Sequence, residues 1–527
     1  MGKRILFNKD ARKGVMSGID QVANAVKVTL GAGGRTVIIS DGVFPTRTTK
    51  DGVTVANSIE LKDEIENAGA KMIKEISTKT ANEVGDGTST VALLMQELVL
   101  KGLNLVEAGT NPMKLKFGME MATKSILLSL SNMAIPVGDD VNVLKQIAAV
   151  SANNDSEIGD IVGEVFSKLG PYGIVAIEDS KGPDTIIEQV NGFQFNCGWF
   201  SHYYINTENN TCELEKPLVL IVEGKITKFG EVKNIIEKAV NVGRPIVIMA
   251  EDFDFTFTRD FLSNIQRKVV SGCCIKYNYM GETKQELMLD LCAMTGATLI
   301  SENTGKKMEN IQVTDLGECE KIVCTKDETT LVAGRQNKEQ VASRIKDAEV
   351  KIENAKHPLQ KQLYERRMAK LSGGIAICYV GGATEVERSE KKDRIDDSVR
   401  ATKAAIEEGI VAGGGTALLR CIQALSELNC ADPDVKQGVS LVAKCIEKPA
   451  FQIAENAFGS VAHLKLEKVK EATGNVGFNA KTGQIEDLVK SGIIDPKKVV
   501  RVCIENAVSA AAQVLISEAL IVNDNSQ

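Results

Sequence analysis

The stretch Gly85-Asp86-Gly87-Thr88-Ser89-Thr90 decides how the rest of this chain is read. Upstream of it, Leu61, Ile65, Ala68, Met72, Ile76 and Thr80 recur at intervals of three and four, the inward stripe of a helix. Two glycines interrupt the run, and Val91, Leu94, Met95 and Leu98 restart the same period. The spacing predicts one helix ending at Gly85 and a second whose first turn holds Thr88, Ser89 and Thr90, where hydroxyls cap unpaired N–H groups. Such a helix start attracts anions. Its free N–H groups and positive dipole end suit phosphate oxygens, glycines let backbone approach closely, and Asp86 is able to hold a divalent cation between phosphates. No Lys follows in the pattern G-x-x-x-x-G-K-[ST], so the stretch is not a P-loop. A capped helix-to-helix turn is the alternative reading of the same six residues.

Working outward, Val15, Ile19, Val22 and Val26 mark a helix over residues 12–30 that ends at Gly31-Ala32-Gly33-Gly34, and Thr36–Ser40 reads as a strand. Asp41-Gly42 and Asp51-Gly52 are turn dipeptides. With Thr48-Thr49 before it and Val53-Thr54-Val55 after it, the second predicts a hairpin with Lys50 and Asp51 at its tip. Asp51 there either reaches a ligand or simply serves the turn. Far downstream, Asp396 and Asp397 read as the start of a helix through Glu408, where paired acids suit the dipole. Gly413-Gly414-Gly415 opens another helix with Leu418, Leu419, Ile422 and Leu425 on one face. Lys498–Val522 predicts a buried helix, with a frayed polar end over Asn523–Gln527.

The middle has a different texture. Residues 138–190 alternate short helical and strand signals, including Gly173–Glu178. Ten of the one Trp, seven Tyr and fifteen Phe then fall in two windows: Phe193, Phe195, Trp199, Phe200, Tyr203 and Tyr204, and Phe253, Phe255, Phe257 and Phe261. They make either an aromatic core or an aromatic surface. Leu218–Val222 and Pro245–Met249 read as buried strands around a helix with Val232, Ile235, Ile236 and Val240, an α/β domain. Residues 338–370 form one charged helical run ending at Gly373-Gly374, and Ile375–Val380 is strand-like.

At 527 residues the chain is too long for one core, and roughly three domains are expected. Hydrophobic content of 43% with 25% charged residues argues against extensive disorder. A net charge of −7 disfavours nucleic-acid or anionic-membrane partners. Residues 1–10 hold no apolar run of signal-peptide length, and no stretch approaches the ~20 apolar residues of a membrane span, so a cytoplasmic location is expected. Twelve scattered cysteines without C-x-x-C suit reduced thiols. His202, His357 and His463 stand far apart, which gives zinc hydrolysis no support.

Taken together, the chain resembles a group I chaperonin, the GroEL-like class, over nearly its whole length. The landmarks are Thr29-Leu30-Gly31, Thr49–Val53, Gly85–Thr88, Ala383–Glu387, Val411–Gly415, Gly477–Ala480 and Asp495-Pro496, seven motifs in register. The resemblance implies a multidomain α and α/β fold. A mostly helical equatorial domain comes from residues 1–134 and 409–527, a small intermediate domain from 135–190 and 375–408, and an α/β apical, polypeptide-binding domain from 191–374. It implies ATP-driven folding of non-native polypeptides in a homo-oligomeric ring of seven subunits, with Mg2+, room for K+, and a co-chaperonin lid. Carried over by position, Asp86 holds the magnesium. Thr88, Ser89, Thr90, Gly87, Lys50 and the loop Thr29, Leu30, Gly31 and Ala32 surround the phosphates, while Gly414, Asn479, Ala480, Lys481 and Asp495 hold the ribose and adenine. Asp397 is the catalytic carboxylate that orients or deprotonates water, with Asp51 helping to place it. Trp199, Tyr203, Tyr204, Ile236 and Leu262 face the cavity, and Pro136, Gly192, Gly374 and Gly409 match hinges.

The sequence departs from the pattern at several places. Ala32-Gly33 stand for the usual Pro-Lys, Cys197 for an Arg of an intersubunit ion pair, and Lys233 and Ser263 for apolar residues of the capture surface; Phe451–His463 is shortened. These put the lid and the double ring in question but leave the ATPase residues intact. A ring-forming scaffold or holdase without a productive cycle is therefore the alternative function. A small-molecule kinase lacks any polar pocket motif in the middle region.

Overall fold

The computed structural model describes residues 3–40, 47–138, 140–152, 155–170, 173–180, 182–190, 192–207, 210–279, 281–301, 305–306, 308, 311–334, 338–355 and 358–523. The expected Asp41-Gly42 turn and most of the polar end lie outside them. The chain divides into two compact units, one of residues 1–167 with 384–527 and one of residues 168–383.

The first unit opens with β1 (Lys3–Phe7), α1 (Asn8–Lys27), the antiparallel pair β2 (Val37–Ile39) and β3 (Arg47–Thr49), then α2 (Gly52–Ser58), α3 (Glu64–Val84), α4 (Thr88–Glu107), α5 (Pro112–Met133), α6 (Val141–Ser151) and α7 (Ser156–Leu169). Several of its helices start at a side-chain cap. Asp63 accepts the Ile65 N–H, and Asn111, just before Pro112, accepts those of Met113 and Lys114. The hairpin expected around Asp51 is corrected: Val53-Thr54-Val55 is helical, because Asp51 caps α2 and Val55 and Ala56 are buried in the helical core.

The second unit is α/β. It holds β4 (Ile174–Asp179), β5 (Ile186–Val190), β6 (Gly192–Phe195), β7 (Cys212–Glu215), β8 (Leu218–Ile221), β9 (Lys225–Ile226), α8 (Lys233–Val242), β10 (Ile246–Ala250), β11 (Asp252–Phe253), α9 (Phe255–Gln266), β12 (Gly272–Lys276), α10 (Gly281–Thr295), β13 (Gly317–Cys324), β14 (Thr329–Gly334), α11 (Lys338–Glu353), α12 (Pro358–Gly373) and β15 (Ile375–Val380). The larger sheet runs β12-β10-β8-β13-β14-β6, with β7 also on β13, and β4-β15-β5 makes a second. β8, β10 and β12 are parallel; β8 and β10 are apolar and buried throughout, and β12 is buried up to its last residue, Lys276, as suits strands covered on both faces. The single helical run expected over 338–370 is two helices, broken before Pro358.

The chain returns to the first unit as α13 (Glu385–Glu408), β16 (Ile410–Ala412), α14 (Thr416–Ser426), α15 (Pro433–Cys445), α16 (Lys448–Phe458), α17 (Ala462–Glu471), β17 (Val476–Phe478), β18 (Ile485–Asp487), β19 (Ile494–Pro496), α18 (Lys497–Ile516) and β20 (Ala519–Asn523). The expected last helix stops six residues early, and β20 pairs antiparallel with β1, Ile521 opposite Ile5. α4 and α18 are long and apolar enough to cross a membrane, which corrects the expectation that no stretch approaches that length. Their most apolar windows are 61% and 72% buried inside the protein, so they serve here as core helices.

Candidate functional site

α3 ends and α4 begins through two left-handed glycines. Gly85, at φ 70°, donates its N–H to Ala81 O at 2.8 Å, and Gly87, at φ 80°, precedes Thr88. A side chain at either would be strained. Between them Asp86 Oδ1 accepts the Gly87 N–H at 2.5 Å. From below, Cys503 of α18 donates its thiol to Gly87 O at 3.3 Å. No side chain caps the start of α4, which leaves its first-turn N–H groups free for a ligand.

Two other chain segments close on that helix start. Thr29, just past α1, gives its hydroxyl proton to Val26 O at 2.8 Å, so the 3.1 Å bond between Thr29 Oγ1 and Ser89 Oγ is donated by Ser89. The Leu30-Gly31-Ala32 loop that follows is tied down by Asn456, whose Nδ2 donates to Lys27 O and Leu30 O at 2.9 Å. Gly52 of α2 packs on the other side: a Cβ there would overlap Ser89 Oγ and stand 2.8 Å from Thr88 Oγ1. Asp51 beside it spends one oxygen on each of the Val53 and Thr54 N–H groups, at 3.3 and 2.8 Å, and Lys50 is exposed.

Asp397 and Asp495 join this assembly electrostatically. Burial first, then the charges of Asp51, Asp86 and Asp396, push the Asp397 carboxyl up to about 9, with Arg400 opposing. Burial and Asp86 push Asp495 to about 7. Burial and Asp51 raise Asp86, against the pull of the Gly87 N–H. The expected start of a helix at Asp396 is corrected. Both acids lie in the middle of α13, which begins at Glu385 with Thr384 Oγ1 accepting the Glu387 N–H at 3.2 Å. Among the described residues no group of three or more His, Cys, Asp or Glu side chains forms a ready-made metal cage.

Asp397 and Asp495 have folded pKa values above their unfolded ones, so their contribution to stability is complete below about pH 4 and is lost as pH rises through about 7 and 9. Without ligands, the melting temperature should fall between pH 5 and pH 9, and Asp397→Asn should flatten that slope. A slope unchanged in the variant would contradict the carboxylate cluster.

The β17–β18 hairpin and β16 complete the floor. Val411 pairs with Asp495, and a Cβ on Gly413 would stand 3.1 Å from Asp495 Oδ1. Gly414 lies beside Phe478 O, which brings Asn479 and Ala480 to it. Asn479 is buried and its side chain is fully used: Oδ1 accepts the Lys481 and Thr482 N–H groups at 2.9 and 3.2 Å, and Nδ2 donates to Glu486 at 2.6 Å. Through the two bonds its Oδ1 accepts it shapes the turn, and Lys481 is exposed beside it.

In the second unit, the five residues expected to face outward separate. Tyr203 is 55% exposed, and Trp199 and Leu262 are half-buried. Tyr204, at 3%, and Ile236, at 2%, are corrected to core residues: Tyr204 meets the Phe261 ring edge-on at 6.1 Å, and Ile236 lies on the inward stripe of α8 with Ile235 and Ala239. Exposed apolar side chains outside the five expected ones include Phe200, Val240, Val242 and Phe255, the last 77% exposed. Helical spacing carried the signal for Phe255, since Phe253, Phe257 and Phe261 stack inward at intervals of four and Phe255 falls between them.

A helical unit whose glycine-flanked helix start is ringed by carboxylates, with an α/β unit inserted in its chain, is the fold of a divergent GroEL-like chaperonin. The chain belongs to the TCP-1/cpn60 chaperonin family, which it matches over residues 22–525. Among solved structures it is similar to the chaperonin gp146 from the bacteriophage EL 2 (Pseudomonas aeruginosa), in two crystal forms in the presence of ATP-BeFx. In one form the TM-score is 0.77 at 22% identity and in the other 0.67 at 21%, each covering 99% of both chains.

Proposed function

We propose that this protein is an ATP-dependent chaperonin that captures non-native polypeptides on apolar surface of its second unit and promotes their folding in a homo-oligomeric ring. The observation that carries this reading is the meeting of Asp51, Asp86, Asp397 and Asp495 at the open start of α4, in a chain of the chaperonin family. Residues 135–190 with 375–408 as an intermediate domain and 191–374 as an apical domain belong to the same reading.

The donor set fits ATP with Mg2+. Its donors are hard oxygens, which suit a cation that takes the rest of its ligands from phosphates and water. Asp86 would hold it; when bound it supplies charge neutralisation on the phosphates. Thr88, Ser89, Thr90, Lys50 and the Thr29–Ala32 loop would surround the phosphates, and Gly414, Ala480, Lys481 and Asp495 the nucleoside, with Asn479 shaping that wall. Asp397, relieved of like-charge repulsion once Asp86 is neutralised, is the carboxylate positioned to orient water or take its proton. Phe200, Tyr203, Val240, Val242 and Phe255 offer the apolar contact, which suits many client sequences because burial of apolar area is non-directional.

The test is the refolding of an aggregation-prone protein, with ATP and Mg2+ and no lid protein added. The yield is expected to rise several-fold, and only when ATP is present. Suppressed aggregation with no folded product, with or without a lid, would identify a holdase instead.

A further inference from the structure

Asp397 lies mid-way along a 24-residue helix, so its carboxylate is held only as firmly as α13 itself. α13 is anchored at several places, and before Asp397 Lys391 pairs with Glu157 and Arg394 with Asp155, each at 2.9 Å. Ser398, fully buried, donates to Ala148 O of α6 at 2.8 Å. At the far end Glu408 pairs with Arg501 at 2.7 Å and Lys497 at 3.3 Å, and Glu407 with Lys498 at 2.7 Å. The anchor one turn beyond Asp397 is Arg400.

The contacts of Arg400 lead straight to the Gly85-Asp86-Gly87 turn. Its stem lies on Gly85, where an added Cβ would overlap Arg400 Cβ and stand 2.9 Å from Cδ. Its Nη1 donates to Ala81 O and Asn82 O, both at 3.3 Å. Both lie in the last turn of α3, where Ala81 O also accepts the Gly85 N–H at 2.8 Å and the helix dipole favours a cation. Its Nη2 also pairs with Asp396 at 2.8 Å, but that pair is an exposed i,i+4 contact and contributes little. Facing Asp397, Arg400 is the opposing cation to Asp51, Asp86 and Asp396.

We infer that Arg400 is a positioning residue for ATP hydrolysis: it clamps α13 onto Gly85 and the last turn of α3 and so holds Asp397, one turn before it, at the Gly85-Asp86-Gly87 end of the site. This rests on the ATPase reading of the site. Gly85 then serves two ends, a left-handed cap and a flat seat for the Arg400 stem.

The experiment measures ATP turnover and ATP binding for the full chain, Arg400→Ala and Arg400→Lys, each also on an Asp397→Asn background. Misplacing a catalytic group by about 1 Å costs on the order of 100-fold, so Arg400→Ala should lose roughly 10- to 100-fold in kcat with KM and ATP affinity nearly unchanged. Arg400→Lys should recover part of the loss, because an ammonium still caps a carbonyl. On the Asp397→Asn background Arg400→Ala should cost almost nothing more, since the two act as one unit. Unchanged kcat in Arg400→Ala, an equal further loss on the Asp397→Asn background, or a matching loss of ATP binding would each overturn the inference. Absence of hydrolysis in the unaltered protein would instead remove the ATPase reading on which it rests.

Discussion

Asp397→Ala is expected to lower ATP turnover by about 100- to 10,000-fold, the range that a positioned general base supplies. ATP binding, measured by calorimetry, should stay within about threefold, because the side chain acts on water in the transition state and not on bound nucleotide. The electrostatics give a further reason for the split. Burial and the charges of Asp51, Asp86 and Asp396 push the Asp397 carboxyl up to about 9, so near neutral pH it is protonated and its removal leaves the charge at the phosphate end of the site little changed. Near-normal turnover by the variant would sink the assignment, and a loss of binding equal to the loss of turnover would make Asp397 a ligand-holding residue instead.

Gly118→Leu is expected to destabilise the first unit by about 3 kcal/mol or more, the scale of an overpacked or disrupted core. α5 and α15 touch backbone to backbone here: a Cβ on Gly118 would overlap Val435 O and stand 3.0 Å from Gly438 Cα, and one on Gly438 would overlap Leu115 O and stand 2.9 Å from Gly118 Cα. No rotamer relieves a clash with backbone, so the helices must part and uncover Leu115, Met119, Val439 and Val442, all buried in the same core. Thermal unfolding reads the effect. Met113→Ser, at an exposed position on the same helix, should move the transition by less than about 0.5 kcal/mol. Equal shifts for the two variants would mean that the α5–α15 contact is not what holds this unit together.

Much of the local structure was legible because it depends on near neighbours. The three-and-four periodicity marked α1, α3 and α4, and Gly85 ended α3 in the left-handed cap that only glycine adopts cheaply. Two misread segments carried a local signal of their own. Thr384-Glu385-Val386-Glu387 has the hydroxyl-to-acid spacing of a helix start, and Pro358 marks the break between α11 and α12. α2 was harder, since β-branched Val53, Thr54 and Val55 favour a strand until the Asp51 cap and the burial of Val55 and Ala56 outweigh that preference.

By itself, the sequence determined the helical and α/β segments, the glycine-flanked helix start and, through seven motifs in register, the chaperonin family that the comparison shows. Tertiary structure alone decided three things. It brought Asp51, Asp86, Asp397 and Asp495 from four distant segments into one electrostatic cluster, laid Arg400 on Gly85, and sent Tyr204 inward while its neighbour Tyr203 stayed in solvent. The physical reason is the same in each case. Helix periods and caps are set within a turn or two of chain, whereas charge repulsion, close backbone approach and burial depend on what the rest of the fold places opposite a residue.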